Sequence, residues 1–312
     1  MTVSSVPGKI ILFGEHAVVY GRPAIAIPVR EVTATVAITE IPHATQSDIR
    51  IVAPDIHFYM WLHAADPEHP LAKIVHLTLN ELDIEEPPPL NLLISSTIPV
   101  AAGLGSGAAV SVAIVRALSA HLGKPLPLTR QSNLAFEVER IYHGTPSGID
   151  NTVVTYDRPI YFVKDSEPVF INIGSSFPFI IGDTGLASHT AFAVSQVNEA
   201  WDMDRIRYEA LFDAIGMATE QARDFLEHGD ITDLGPMMDH CQSLLERIGV
   251  SSPKLNELIS AARRAGAGGA KLSGAGLGGN MIALVEPANA WQVEAAIQRA
   301  GATRTIRTEV LP

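Results

Sequence analysis

The sequence predicts a two-domain α+β protein, with a β-α-β first half built around a glycine-rich turn and a ferredoxin-like second half. Three observations carry that prediction. Strand-like and helix-like stretches alternate through the first half of the chain. A β-rich run at 90–97 leads through Gly103, Gly105 and Gly107 into a helix of small residues. The C-terminal stretch reads strand, glycine turn, strand, helix, strand, which is a split β-α-β pattern. A chain of 312 residues allows one large or two ordinary domains. The rhythm changes near 165–185, so the expected domains are 1–176 and 177–312.

The elements follow in order. Residues 9–13 form a short apolar run closed by Gly14. Residues 24–39 are rich in β-branched side chains and read as strands interrupted at Pro28. Pro87, Pro88 and Pro89 set off the strand at 90–97. The helix of small residues spans about 105–121 and is stopped by Gly123 and Pro125. Thr129 is the expected N-cap of the next helix, which runs to residue 143 with Leu134, Val138 and Ile141 on one apolar face. Gly144 and Pro146 end it. Strand-like runs at 159–163, 168–173 and 177–181 lead to a turn at Asp183, Thr184 and Gly185, and a helical pattern then dominates from 187 to about 265. The end reads strand 270–273, strand 280–285, helix 288–299 and strand 303–310.

Composition narrows the function. The chain carries 34 acidic and 22 basic side chains, a formal charge of −12 with histidines neutral. That balance argues against a general binder of nucleic acid or anionic membrane, because both need a basic face. The single cysteine, Cys241, excludes an internal disulfide and fits a reducing compartment. No charged region followed by an apolar stretch opens the chain, so no secretory signal is expected. Residues 98–115 lack charge, but their glycines and serines suit a buried helix better than a lipid span. The expectation is a soluble, cytoplasmic protein without a membrane partner. If it self-associates, a homodimer is the common default.

Three glycine-bearing segments stand out, at 7–21, 99–109 and 271–280. In the middle one a strand, three glycines and a helix start would put free backbone N–H groups and the positive helix end around an anion. A plain strand-to-helix turn would carry the same residues. The third satisfies G-x-G-x-x-G, but the run after it is strand-like and no doubly wound domain can follow. A glycine-rich hairpin close to a ligand or a neighbouring domain is the better reading. Lys9 heads a strand after a Pro-Gly turn, and Glu15 and His16 lie in a loop. Asp150 follows a turn through Gly148, just before the β-branched run 152–155; Glu139 lies eleven residues earlier on the entering helix. Two carboxylates and a lysine beside a phosphate loop suit phosphoryl transfer, which needs a metal ligand, an oriented hydroxyl and cationic neutralisation. Asx-turn and solvated-face roles remain the alternatives for these residues. The histidines at 57, 63, 69 and 76 lack the spacing of a zinc site.

Taken together and in this order, these segments resemble the GHMP kinase superfamily, and its mevalonate kinase branch of compact prokaryotic type in particular. The block at 143–151 supports the resemblance, and the two-domain order extends it over nearly the whole chain. Galactokinases would show Arg and Asp where Lys9 and Ala17 stand. The resemblance implies ATP-dependent phosphorylation of the 5-hydroxyl of mevalonate, with Mg²⁺. It implies Asp150 as the catalytic aspartate and Lys9 as the lysine that activates the hydroxyl and balances the γ-phosphate. It implies a nucleotide loop of Pro99, Ala101, Ala102, Gly103, Leu104, Gly105, Ser106, Gly107 and Ala108. Glu139 and Ser106 would bind the metal; Glu15, His16 and Gly148, with Asp150, would face the substrate. Gly107 replaces the serine that usually contacts Mg²⁺, Leu277 replaces a common glycine, and residues 186–190 lack a basic side chain. A related acceptor such as phosphomevalonate, or a non-catalytic metabolite-binding relative, is the competing reading.

Overall fold

The computed structural model describes residues 1–42, 47–99, 102–143, 147–188 and 190–312, apart from the side chains of Tyr142 and His143. The elements are, in order, β1 (Thr2–Phe13), β2 (Ala24–Glu40), β3 (Ile49–Ala53), β4 (Phe58–Trp61), α1 (Pro70–Glu81), β5 (Leu90–Ser96), α2 (Ser106–His121), α3 (Leu128–His143) and α4 (Ile149–Tyr156). They continue with β6 (Ile160–Phe162), β7 (Val169–Phe170), β8 (Phe177–Asp183), α5 (Thr190–Met203), α6 (Arg205–His228), α7 (Ile231–Ile248) and α8 (Pro253–Arg264). The last four are β9 (Gly269–Ser273), β10 (Asn280–Leu284), α9 (Ala290–Arg299) and β11 (Arg304–Val310). Two compact units interleave along the chain. One comprises Met1–Gly8, Val32–Pro99 and Gly105–Asp157; the other Lys9–Glu31, Val100–Leu104 and Arg158–Pro312.

In the first unit the strands run in the order β4-β3-β5-β2, with β3 parallel to β5 and the other pairs antiparallel. From Val32 onward β2 alternates buried and half-exposed side chains, the signature of a sheet covered on one face. The α2 helix packs among α1, α3 and α4. Ala109, Val112, Ala113, Ile114 and Leu118 are all without exposure. A helix apolar all round belongs inside a protein or a membrane, and here it is the centre of the unit. Among the described residues no helix is long and apolar enough to cross a membrane.

In the second unit the first three residues of β2 pair with β6, and β6 with β7. A separate antiparallel sheet has the order β11-β8-β10-β9. Taken as strands one to four, that order is 4-1-3-2, so the expected ferredoxin-like arrangement is present. Both β9 and β10 are buried at every position. Leu272, Met281 and Ala283 pack there with Phe212 and Ile215 of α6, Leu244 of α7, Leu258 of α8 and Ile297 of α9.

The structure corrects several local expectations. Pro28 does not interrupt β2. It lies between residues 24–26, which pair with β6, and 34–40, which pair with β5, so no bond to either strand is lost. Thr129 is not a cap: α3 begins at Leu128, and the N–H groups of Arg130 and Gln131 donate to the Pro127 carbonyl. Leu134 and Val138 are buried with Ala135, but Ile141 in the last turn is 41 % exposed. The β-branched run 152–155 is helical. Thr152 and Thr155 donate their hydroxyls to the carbonyls of Gly148 (2.7 Å) and Asn151 (2.6 Å), which satisfies polar groups inside the helix.

Candidate active site

The middle glycine-bearing segment begins just after β5. Ala101 lies outside the described residues, as do Val100 and Gly144 to Pro146. Ala102 and Leu104 are buried, and the Lys9 backbone N–H donates to the Leu104 carbonyl at 3.0 Å. Gly105 is the N-cap of α2 at φ +71, a left-handed turn that a Cβ would strain. It offers no capping side chain, and no acidic residue occupies the first turn. The first intrahelical bond runs from the Ala109 N–H to the Gly105 carbonyl, 2.9 Å. The N–H groups of Ser106, Gly107 and Ala108 therefore open the helix as donors without a helical acceptor, an anion-receptive end. A Cβ at Gly107 would meet nothing within 4 Å.

The two carboxylates belong to the same unit. Asp150 is not on a turn, as its sequence context suggests, but in the first turn of α4 after the N-cap Gly148 at φ +88. Glu139 is a buried residue of α3. The two helices are tied through Asn151, whose amide donates to the Ser132 hydroxyl (2.8 Å) and carbonyl (3.2 Å). Among the described residues no group of three histidine, cysteine or carboxylate side chains forms a metal cage. His63 instead bonds Asp48 at 2.6 Å, and His69 stacks on Phe58 and caps α1.

Lys9, Glu15 and His16 belong to the other unit. Lys9 lies in β1 and is buried. Gly14, at φ +93, leads to Glu15, whose carboxylate is buried and held by the Lys271 ammonium. Burial pushes that carboxyl upward, and Lys271 pulls against it. His16 is also buried, in a left-handed backbone conformation. Its Nε2 donates to the Ala275 carbonyl at 2.9 Å, and burial lowers its pKa, so the neutral imidazole with a proton on Nε2 is favoured.

Two functional candidates in the third glycine segment carry little mark of it in the sequence. Lys271 is only the first letter of a glycine motif; nothing local distinguishes it from a surface lysine. Asn280 donates its amide to the Ala102 carbonyl, next to Gly279, whose own carbonyl accepts from the Thr184 hydroxyl at 2.8 Å. A polar residue closing a glycine run and opening a buried strand is the one signal the sequence offers for it.

Comparison with known proteins places this arrangement. A family model described as GHMP kinases N terminal domain matches residues 70–158, and one described as GHMP kinases C terminal matches 222–303. The mevalonate kinase of Pyrococcus horikoshii is 36 % identical, over 96 % of this chain and 92 % of its own. The chain belongs to the mevalonate kinase family of GHMP kinases. The family extends across distant relatives: the mevalonate kinase of Saccharolobus solfataricus is 30 % identical over 91 % of this kinase and 90 % of its own length. The crystal structure of the Methanococcus jannaschii mevalonate kinase superposes with a TM-score of 0.86 at 25 % identity, covering 99 % of this chain and 98 % of that one. The L. major mevalonate kinase in complex with R-mevalonate gives 0.83 at 30 % identity, covering 100 % and 96 %.

Proposed function

We propose that this kinase transfers the γ-phosphoryl group of ATP to the primary 5-hydroxyl of mevalonate. The observation that carries the reading is the full-length likeness to mevalonate kinases, one of them a complex with R-mevalonate. In this reading the N–H groups that open α2, with the loop from Pro99 to Ala108, receive the nucleotide phosphates. Asp150 orients the acceptor hydroxyl or takes its proton, and Lys9 balances charge on the transferring group. His16, Glu15 and Gly148 serve the acceptor side.

Magnesium fits the donor set. Mg²⁺ keeps several waters and takes one or two carboxylates beside substrate phosphates, not an all-protein cage. Glu139, a buried single carboxylate, and the Ser106 hydroxyl suit that habit, and Gly107 leaves the second hydroxyl position empty. Bound Mg²⁺ would neutralise phosphate charge. Along the sequence we assign 1–176 to nucleotide binding and catalysis and 177–312 to the ferredoxin-like domain, although by contact Lys9–Glu31, Val100–Leu104 and 158–176 cluster with the latter. The two family matches, 70–158 and 222–303, fall on either side of that division. A cytoplasmic setting agrees with a lone thiol.

The test is ADP release with mevalonate, phosphomevalonate, galactose and homoserine at matched concentrations. Mevalonate is expected to give the highest kcat/KM. Turnover of another acceptor without turnover of mevalonate would overturn the assignment.

A further inference from the structure

The reaction proposed above makes no use of Lys271, yet this lysine is the most deeply buried charge described. It lies in the middle of β9 with no exposure, and its partner Glu15 is equally enclosed. The ammonium also donates to the Leu272 carbonyl at 2.7 Å and stands 5.9 Å from the centre of the Phe13 ring. Removing two charges from water costs about as much as their attraction returns, so such a pair adds little to stability compared with apolar side chains of similar volume. Its use lies in what it fixes.

Three contacts join the segment after Lys9 to the segment that begins at Lys271. Ser273 donates to the Ile11 carbonyl at 2.7 Å, Lys271 holds Glu15, and His16 donates to the Ala275 carbonyl. Within the first segment Gly14 has φ +93, which glycine adopts freely, but His16, which is not glycine, has φ 60 and ψ −48 in a tight turn closed by the Ala17 N–H on the Glu15 carbonyl at 2.7 Å. A non-glycine residue keeps such a conformation only where its surroundings over-determine it.

We propose that Lys271 is a positioning residue for phosphoryl transfer: through Glu15 it pins His16 in its strained conformation on the acceptor side of the site. Glu15 then acts through His16, not by touching substrate. The proposal rests on the acceptor-side reading of His16 given above.

The experiment compares Lys271→Met, Glu15→Gln and the apolar double variant Glu15→Leu/Lys271→Met. Lys271→Met leaves the buried Glu15 carboxylate without its hydrogen-bonded ammonium, with only the charge of Lys9 acting on it, and Glu15→Gln leaves the buried Lys271 ammonium without a counter-charge; each lowers Tm by about 10 °C. The double variant restores Tm toward wild type. All three raise the KM for mevalonate about 10-fold or more, the scale of a misplaced substrate contact, while the KM for ATP stays at the wild-type value. A folded variant of the pair with the wild-type KM for mevalonate overturns the proposal, as does a double variant that recovers Tm and KM together. Nitrogen NMR of His16 needs no acceptor. The Nε2–H tautomer is expected in wild type and tautomeric averaging in the double variant, and an unchanged signal overturns the proposal. If wild type itself ignores mevalonate, the substrate assignment has failed. The NMR comparison then decides on its own whether the pair holds His16.

Discussion

Alanine at Gly14 would meet two obstacles at once. At φ +93 a side chain is strained whatever space surrounds it, and the new Cβ would lie 2.3 Å from the Pro23 carbonyl oxygen and 2.4 Å from the Ala24 Cα. Both neighbours are backbone at the start of β2, which is held by pairing with β6. Gly21 is the natural control. It has φ +82, but a Cβ there would meet nothing within 4 Å. Left-handed backbone alone costs about 1–2 kcal/mol for an L-residue, and forcing a methyl group into filled space adds roughly 1–3 kcal/mol. Gly21→Ala should therefore lower Tm by about 3 °C and Gly14→Ala by about 7 °C for a chain of this size. Thermal unfolding followed by circular dichroism reads both. Equal shifts for the two variants would refute the steric half of the reasoning. A larger shift for Gly21→Ala would refute all of it.

Three further outcomes follow from the same geometry. Gly107→Ser adds a hydroxyl where there is open space; Tm should not move, and the Mg²⁺ concentration for half-maximal rate should fall, as a magnesium titration would show. The Cys241 thiol is pushed up to about 12 by burial, with Lys271 opposing. The unfolded thiol ionises first as pH rises above its ordinary 9.0, so stability should decline between pH 9 and 12, by about 3 kcal/mol at pH 11. Urea titrations of wild type and Cys241→Ala at pH 8 and 11 isolate that loss, and Ellman's reagent should find the thiol only after unfolding. Asp150→Asn should lower kcat about 10²-fold or more, the scale of general-base catalysis, with ATP affinity by calorimetry unchanged.

Much of this fold was legible because its signals are local. The strand-to-helix passage from 90 to 121 announces itself through glycine placement and small apolar residues, and the closing strand-strand-helix-strand through periodicity. What the sequence hid is non-local or contextual. Glu15 and Lys271 are 256 residues apart, and no pattern within either neighbourhood marks them as partners. Thr152 and Thr155 carry β-branched side chains that favour strands, but hydroxyl bonds to the preceding turn and the burial of Val153 and Val154 hold them in α4. Pro28 looked like a break because the sequence does not show which residues of β2 are paired. The interleaved units were hidden for a related reason: β1 and β2 are each long enough to serve both. Asp150 and Glu139 could be picked out by motif, and Glu139 was expected on a helix, but only the structure put Asp150 on a second helix tied to the first through Asn151.

The central claim is a phosphoryl transfer to one hydroxyl of one acid, and identification of the product tests it most directly. The enzyme, ATP, Mg²⁺ and mevalonate are incubated together, and the product is read by mass spectrometry and phosphorus NMR, with Asp150→Asn alongside. The account predicts one new phosphomonoester on the primary carbon, formed with one ADP each and nearly absent from the variant. ADP without a phosphorylated mevalonate, a phosphate on the tertiary hydroxyl, or an undiminished yield from Asp150→Asn would contradict it.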